Sequence, residues 1–555
     1  MQRTAVRTII FLHSLLVSFG ATLAARAAPS SWSPDASAPG AGVFQYSVPV
    51  SGVSGRRAYL WIPPDCVRVR GLIFCLNNML EERFTLDPTI RQAAADTGLG
   101  IVWIQPGGEK TSPLTMDLKN GNAADAVQRV LTDLANESGY GEVAFAPLLA
   151  VGHSVAAQFS YGIQAQMPNR IIAAISLKGA FPGWRALGIP NLEVGSQVSE
   201  HSEAWRDTDS WKKEVAAARK YRGQDERVLI GQFTDLSAGH LAFTPQSAPV
   251  LAMFIRKAVE RRVPYGAPPN APVPLNPIDP KSGCLVDPDK LGTPDGKPVP
   301  CAQWPGDPKQ AFWYFDPQMA AAVNGAMLDQ QRKRPQLIQP VENGQPVALE
   351  KEGFLNLHPR FESDGITFKV EATWYARAPF PTTFGGAALG HVSDPIQFRV
   401  GTGALDQTGP DRFRVALHRG VPYRQGNPWE PWVIACSNGN AEFRRADRPI
   451  HVLFNLINKK GDAQSIDFAA LPDVPAGTKQ VPLRATATSG LPIQYFLISG
   501  PAALAPDGKS LSLLPIPPRS RYPVRVIVAA FQWGRPLSPQ VQSAGPVERT
   551  FFITK

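Results

Sequence analysis

The sequence has little charge and few of the side chains that usually bind metals. Charged residues make up 18% of the 555 positions, and the chain holds 5 cysteines and 8 histidines. No cysteine spacing matches a zinc site or a redox motif, so neither a metal nor another cofactor is predicted. The lysines and arginines give a net charge of +10 but are dispersed along the chain. This argues against nucleic-acid binding and leaves an acidic polysaccharide as a suitable partner.

Long apolar runs are missing after residue 27. Residues 1–27 contain two early arginines, an apolar core over 9–23 and the small-residue sequence Ala25-Arg26-Ala27. This pattern predicts a cleaved export signal and a secreted or periplasmic product that begins near Ala28. No later stretch is long and apolar enough to span a bilayer, so we expect no membrane contact once the signal is removed. No long heptad repeat is present, and a monomer is the default expectation.

The few cysteines limit the number of disulfides. Export favours disulfide formation, and Cys284 and Cys301 bracket a loop rich in proline and glycine. Because such a loop buries little apolar surface, the sequence predicts that these two cysteines pair. Cys66 and Cys75 either pair or are buried as thiols, and Cys436 is expected to be a lone buried thiol.

The chain is longer than one ordinary domain, and its composition and residue pattern change several times along its length. The predicted segments are a signal (1–27), a region of alternating strands and helices (28–263), a proline-rich extension that packs back on it (264–340), a β-sandwich (341–462) and a second, immunoglobulin-like β-sandwich (463–555). The chain is therefore expected to combine one α/β part with two all-β parts.

Strand-like and helix-like patterns alternate through residues 28–263. Predicted strands cover 43–50, 57–62, 72–76, 101–104, 147–151, 171–177, 190–195 and 227–233, and predicted helices cover 89–97, 122–136, 155–166, 212–220 and 247–261. The first two strands suit an antiparallel edge, and the regular alternation after them implies a mostly parallel sheet covered on both faces. The expected fold class is a doubly wound α/β sheet.

A serine lies where a strand, a tight turn and a helix meet. An apolar run leads into Gly152-His153-Ser154-Val155-Ala156, and an amphipathic segment follows. Such a turn lifts the serine hydroxyl out of the sheet and leaves the N–H of the next residue, Val155, at a helix N-terminus, where it stabilises an oxyanion. Small residues are needed because strand and helix pass close together, and Ala156 stands where the usual motif has its second glycine.

A histidine follows in the order that this turn requires. Gly239-His240 precedes a predicted helix, and His240 lies 86 positions after Ser154. Through these features residues 44–263 resemble secreted α/β-hydrolase esterases, in which the chain order is nucleophile, acid, histidine. The resemblance implies that Ser154 is the nucleophile and His240 the base, with a carboxylate that orients the histidine.

The acid of this triad is left open. The family carries it in the loop after the strand at 190–195, where Glu200, Glu203 and Asp207 lie and Glu200 is closest to the expected place. The usual Gly-x-x-Asp arrangement is absent from that loop. Asp235, which lies five residues before the histidine, is therefore the alternative acid.

Three other positions are candidates for the site. The resemblance places a second oxyanion donor in the loop after the strand at 72–76, where Asn77 or Asn78 would supply it; a plain asparagine-rich turn is the alternative. His153 is expected to orient the turn and is also a secondary candidate for substrate contact. Trp313 is the other such candidate, although aromatic runs more often fasten an extension to a core.

From residue 341 onwards, short alternating segments separated by turns predict β-sandwiches. Residues 489–495 resemble the turn and strand of bacterial immunoglobulin-like modules on secreted proteins, which implies a fold and no activity. Together with the serine, this architecture favours a secreted serine esterase that acts on acetyl, feruloyl or methyl esters of polysaccharide. The alternative is a non-catalytic secreted protein that binds a glycan or a cell surface on a hydrolase scaffold.

Overall fold

The computed structural model describes most of the chain after the predicted signal. The described residues are 42–51, 55–105, 123–179, 186–195, 209–237, 239–348, 355–378, 386–419, 431–455 and 457–555. The predicted export signal lies outside these ranges.

The first part of the described chain is built on an eight-stranded sheet. Its strands are β1 (Tyr46–Pro49), β2 (Arg57–Trp61), β3 (Gly71–Leu76), β4 (Leu99–Ile104), β5 (Leu148–His153), β6 (Ile171–Leu177), β7 (Pro190–Val194) and β8 (Leu229–Phe233). Their spatial order is β1-β2-β4-β3-β5-β6-β7-β8. Pairing is antiparallel on both sides of β2 and parallel from β4 to β8. This confirms the predicted fold class, the doubly wound α/β-hydrolase sheet with an antiparallel edge.

Helices cover both faces of this sheet. The α-helices of the described ranges are α1 (Glu81–Leu86), α2 (Pro88–Thr97), α3 (Ala123–Ser138), α4 (Ala157–Gln166), α5 (Asp209–Gln224), α6 (Ser247–Arg262) and α7 (Pro317–Gln331). Helices α3 and α4 pack on one face, and α2, α5, α6 and α7 pack on the other, each through its apolar side. Only α1 was not predicted in the α/β part, because its six residues are too few to show an apolar period. No helix in the described part of the chain is both long and apolar enough to cross a bilayer.

The proline-rich extension packs against the edge of the sheet at β8. It contributes β9 (Cys284–Val286), β10 (Val299–Pro300) and β11 (Phe312–Tyr314), which form a small antiparallel sheet. The Tyr314 hydroxyl donates to the Gln232 carbonyl oxygen at 2.7 Å. Trp313 is only 3% exposed and donates its indole N–H to the Pro280 carbonyl. The aromatic run therefore fastens the extension to the core, and the candidate role of Trp313 in substrate contact is wrong because its ring is enclosed.

All five cysteines are free thiols. Cys284 on β9 is paired across the sheet with Pro300, so Cys301 lies one residue beyond it, and the Cys301 thiol donates to the Pro280 carbonyl at 3.3 Å. The predicted Cys284–Cys301 disulfide is therefore not formed. Burial raises the pKa of both thiols above their ordinary value, which keeps them protonated at neutral pH.

Two β-sandwiches follow, which confirms the predicted all-β part. The first sandwich contains β12 (Ile338–Glu342), β13 (Gln345–Pro346), β14 (Asn356–Leu357), β15 (Thr367–Lys369), β16 (Glu371–Trp374), β17 (Gln397–Thr402), β18 (Leu405–Gln407), β19 (Arg412–Val415), β20 (Trp432–Ser437) and β21 (Ala446–Val452). The second sandwich contains β22 (Ile466–Phe468), β23 (Val474–Pro475), β24 (Gln480–Pro482), β25 (Ala485–Ala487), β26 (Gln494–Ser499), β27 (Ala502–Leu504), β28 (Ser510–Leu513), β29 (Val524–Gln532) and β30 (Ala544–Thr554).

The two sandwiches repeat one topology. The first has a four-stranded sheet β14-β21-β20-β17 and a three-stranded sheet β15-β19-β18, and the second has β23-β30-β29-β26 and β24-β28-β27. In each sandwich one outer strand pairs in parallel, β14 with β21 and β23 with β30. The register also shifts at the same place in each, after Val400 on β17 and after Leu497 on β26. The two units thus share the topology of these two sheets, while β13-β12-β16 in the first and β22-β25 in the second differ.

The second sandwich shares a hydrophobic core with the eight-stranded sheet. Val526, Val528 and Phe551 belong to the same buried cluster as Leu131 and Leu134 of α3. This cluster closes the face of the sheet that carries α3 and α4. The second sandwich is therefore part of the same packed body as the hydrolase sheet.

Polar contacts at the end of α3 complete this interface. The Arg521 N–H donates to the Ser138 carbonyl at 2.9 Å. The Arg519 guanidinium lies over the Tyr140 ring at 5.3 Å from its centroid and forms an ion pair with Glu142 at 3.0 Å. Because backbone and side-chain groups both take part, these contacts fix the position of residues 519–521 relative to the end of α3.

We expect Gly139→Ala to destabilise the protein by about 1–3 kcal/mol. Gly139 has a φ of 84°, and a Cβ added there would lie 2.6 Å from the Arg521 nitrogen, so backbone strain and a clash both fall on the interface. Urea unfolding measures the change. Gly141→Ala is the matched control, because a Cβ at that position meets no atom within 4 Å. Equal stability of the two variants would contradict this account of the interface.

Candidate active site

Ser154 lies directly after β5 in a strained backbone conformation. Its φ is 53°, in the left-handed region that residues other than glycine rarely adopt. Residues Ser154–Ala156 form a 3-10 turn that leads into α4. Such strain costs about 1–3 kcal/mol and persists only where the surroundings hold it. The turn has the strand-turn-helix form that the sequence predicts.

Two glycines allow the strands and the helix to approach each other at this turn. A Cβ on Gly152 would overlap the backbone of Ala156, and a Cβ on Gly179 would overlap the side chain of Ala157. Ala156 is itself fully buried, so the turn accommodates its methyl group. Gly179, which was not predicted as part of the turn, leaves room for the Ala157 side chain.

Ser154 and His240 meet at this turn. The Nε2 atom of His240 lies 2.9 Å from the Ser154 hydroxyl oxygen, which is hydrogen-bond distance. Val155 follows at the start of the helical segment, where backbone N–H groups have no carbonyl partner within the helix, and its side chain is 46% exposed. The turn thus combines a hydroxyl, a basic nitrogen and a backbone donor. Within the described ranges, no group of three or more His, Cys, Asp or Glu side chains is placed to hold a metal ion.

His153 connects this turn with the loops on either side. Its side chain is fully buried, and its Nε2 donates to the His240 carbonyl at 2.9 Å while Nδ1 faces the Asn78 amide at 3.4 Å. Burial lowers the pKa of His153 well below its ordinary value, and the nearby His240 and Lys178 act in the same direction. His153 therefore stays neutral. Its candidate role in substrate contact is wrong, because none of the ring is accessible, whereas the expected role in orienting the turn fits its position.

Glu81, at the start of α1, joins the loop after β3 to the serine turn. Its carboxylate is fully buried and accepts from the N–H groups of Asn78, Met79 and His153 at 2.8, 2.9 and 2.6 Å. Burial raises the pKa of Glu81 to about 7, against the opposing effect of these N–H groups. This residue was not predicted as part of the site, because its signal in the sequence is only an acidic side chain soon after a buried parallel strand.

The loop after β3 does not offer the expected oxyanion donors. The Asn77 N–H donates to the Ile104 carbonyl at 3.0 Å, and its side-chain oxygen accepts from the Trp103 indole at 3.0 Å. The Asn78 N–H donates to Glu81, and its amide nitrogen lies 3.4 Å from the carbonyl at the end of β5. Because the Asn77 groups are engaged inside the protein, the assignment of Asn77 to the oxyanion site is wrong, and the structure does not favour the half-buried Asn78. The asparagine-rich turn, the alternative, describes what the structure has.

Lys178 holds the loop that carries His240. It follows β6 directly, with a φ of 52°, and its side chain is buried. The ammonium group donates to the carbonyls of Gly239 and Ala242, the second at 2.8 Å. These two carbonyls lie on either side of His240, so Lys178 restrains the loop at the point where it carries the imidazole. Lys178 was not predicted as part of the site, because a lysine after a strand is usually a surface residue.

Asp235, the alternative acid, accepts hydrogen bonds from residues of its own loop and of the start of α6. One carboxylate oxygen accepts from the N–H and the hydroxyl of Ser237 at 3.0 and 2.5 Å. The other accepts from the hydroxyls of Thr244 and Ser247. With both oxygens engaged in this way, the structure does not favour Asp235 as the acid that orients the histidine. The first candidate, Glu200, lies outside the described residues, as do the two other acids in its loop.

No family model and no curated protein matches the sequence. Among solved structures, the chain is similar to a dienelactone hydrolase from Anabaena variabilis, at 14% identity over 40% of this chain and 98% of that chain, with a TM-score of 0.26. It is also similar to a carboxylesterase from Mesorhizobium loti (15% identity, 38% and 98% covered, TM-score 0.26) and a CIB-like hydrolase from Thermoplasma acidophilum (14% identity, 39% and 96% covered, TM-score 0.25). Such low identities and TM-scores carry no argument about activity, and the fold assignment rests on the strand order itself.

We expect the stability of the wild type relative to that of His153→Gln to decrease as the pH is lowered from about 8 to about 5. In the unfolded chain His153 takes up a proton near pH 6.5, whereas the folded protein keeps it neutral, so protons favour unfolding. The difference in unfolding free energy should change by about 1.4 kcal/mol per pH unit below that value. Urea unfolding of both proteins across this range measures it. His358→Gln, an exposed histidine of the first sandwich, is the control, and a pH-independent difference for His153→Gln would contradict the neutral, bridging histidine.

Proposed function

We propose that the protein is a secreted serine ester hydrolase that removes acetyl, feruloyl or methyl ester groups from polysaccharide. The observation that carries this proposal is the 2.9 Å distance between His240 Nε2 and the Ser154 hydroxyl oxygen at a strained strand-to-helix turn. A serine is a weak nucleophile until a base within hydrogen-bond reach accepts its proton. A serine with a purely structural role needs neither the strained backbone nor the adjacent imidazole.

The first half of the proposed reaction transfers the acyl group to the protein. His240 Nε2 accepts the Ser154 proton as the serine oxygen attacks the ester carbonyl, and the Val155 N–H stabilises the resulting oxyanion. One such donor contributes about 3 kcal/mol to lowering the barrier. The imidazolium then donates its proton to the departing alcohol, which leaves Ser154 acylated.

The second half releases the acyl group. His240 accepts a proton from water, the resulting hydroxide attacks the acyl carbonyl, and the imidazolium returns the proton to the Ser154 oxygen. The backbone around His240 must keep its position through both halves. The bonds from His153 and Lys178 to the carbonyls of its loop supply that restraint, and no cofactor takes part.

Glu200 remains the proposed acid of the triad. Its carboxylate would accept the Nδ1–H of His240, which places the basic lone pair on Nε2 toward the serine and stabilises the imidazolium. The engagement of Asp235 by hydroxyl groups of its own loop supports the choice of Glu200 over Asp235.

Polysaccharide is proposed as the substrate from the architecture of the chain. The predicted export signal and the two β-sandwiches on one hydrolase fold support a polymer substrate outside the cell, by analogy of architecture alone. The net charge of +10 favours contact with an acidic polymer. Secretion would give a product that begins near Ala28, which N-terminal sequencing of the exported protein determines.

We expect the wild type to hydrolyse p-nitrophenyl acetate and to be labelled at Ser154 by a fluorophosphonate. Ser154→Ala and His240→Ala should each lower kcat by about four orders of magnitude or more, because nucleophile and base act as a unit. Ser489→Ala and His358→Ala, at exposed positions of the sandwiches, are the matched controls and should keep full activity. Release of acetate, ferulate or methanol from esterified polysaccharides then identifies the ester.

Two outcomes would contradict this function. A folded wild type that neither turns over esters nor takes the label is not a serine hydrolase. Binding of polysaccharide without labelling would instead support the non-catalytic glycan-binding alternative. Full activity of Ser154→Ala would mean that another group performs the chemistry.

A further inference from the structure

The first sandwich reaches the loop that carries His240. The backbone N–H of Asp447 on β21 donates to the Ser237 carbonyl at 3.1 Å. The Arg399 guanidinium on β17 donates to the Phe243 carbonyl at 3.1 Å. Ser237 and Phe243 flank His240 at equal separations along the chain, so the sandwich holds both sides of this loop.

Arg399 and Asp447 are in turn fixed by each other. Arg399 Nη2 lies 2.5 Å from a carboxylate oxygen of Asp447, whose side chain is fully buried. The guanidinium of Arg445 lies 2.6 Å from the other oxygen. A buried carboxylate between two guanidinium groups resists displacement, because any movement leaves a charge unpaired away from water. The ion pair therefore fixes the positions of the two groups that donate to the Ser237 and Phe243 carbonyls.

Strand β17 also contacts the other side of the serine turn. Its register shifts at Gly401, and the carbonyl of Gly401 accepts from Arg83 Nε on α1 at 2.7 Å. Helix α1 begins with Glu81, whose carboxylate accepts from the His153 N–H at 2.6 Å. One strand of the sandwich is thus bonded to the segments on both sides of Ser154.

We propose that the first sandwich is part of the catalytic apparatus, and that Arg399 and Asp447 are positioning residues that set the place of His240 relative to Ser154. This inference rests on the proposed function. His240 lies outside regular secondary structure, so its position depends on bonds to the backbone of its loop. His153 and Lys178 in the α/β part supply some of these bonds, and the first sandwich supplies those to Ser237 and Phe243. Because a displacement of about 1 Å of a reacting group lowers rates by about 100-fold, these bonds bear directly on the chemical step.

Arg399→Ala in the full-length protein tests the proposal. We expect kcat for p-nitrophenyl acetate to fall about 10- to 100-fold with KM nearly unchanged, because a misplaced base slows the chemical step and leaves substrate binding intact. Guanidinium ion added at a concentration too low to unfold the protein should restore part of the lost rate. Arg399→Lys should keep more activity than Arg399→Ala, since an ammonium group also donates to a carbonyl.

Two further variants separate positioning from stability. The Arg399 side chain is 31% exposed, so its removal leaves little empty space, and urea unfolding checks that the variants are folded. Arg412→Ala, which breaks an ion pair with Glu362 on the same sandwich, is the matched control and should keep full kcat. If Arg399→Ala does not fold, the kcat of Arg399→Lys relative to wild type gives the same test.

The outcomes distinguish the two proposals. Unchanged kcat in folded Arg399→Ala with an active wild type overturns the positioning role and leaves the esterase function standing. An equal loss of kcat in Arg412→Ala, or a loss that guanidinium does not relieve, also overturns it. A folded wild type that neither hydrolyses esters nor is labelled at Ser154 overturns the proposed function itself, and the positioning role with it.

Discussion

A hydroxyl and an imidazole from chain positions 86 residues apart are held at 2.9 Å, although neither lies on a β-strand or an α-helix. Ser154 is in a strained turn and His240 is on a loop. Their places are therefore set by buried polar groups. Glu81 bonds to the turn, Lys178 bonds to the loop, and His153 joins the two. In surroundings that exclude water each of these bonds is strong, and each would be costly to leave unmade.

Much of the α/β fold was predictable because its elements carry long, regular patterns. The helix expected over 122–136 is Ala123–Ser138, which buries one apolar side, and the strand expected over 72–76 is Gly71–Leu76, which is apolar and buried along its whole length. The sandwiches were recognised only in outline. Strands of two residues such as β13 and β14 show no period, and the repeated topology of the two units rests on backbone pairing that different residues satisfy equally well.

The site was predictable where a residue type has a fixed chemical role and unpredictable where it does not. Ser154 and His240 stand in recognisable contexts, whereas Glu81 and Lys178 bond to backbone groups, which leave no signature in the sequence. The sequence also does not distinguish a charged side chain that is buried from one that is solvated. Asn77 was misassigned for a related reason, because its side-chain oxygen accepts from Trp103 and its backbone N–H donates to Ile104, so neither group faces an open site.

The core that the second sandwich shares with the hydrolase sheet has a consequence for how the chain is made. Val526, Val528 and Phe551 close the cluster that contains Leu131 and Leu134, yet they are synthesised long after α3. Until they are synthesised, the apolar side chains of this cluster that they cover are exposed to water, and exposed apolar surface favours aggregation and proteolysis. A truncated chain that lacks these residues therefore leaves apolar surface exposed to quality-control proteases, whereas the chain that contains them buries it.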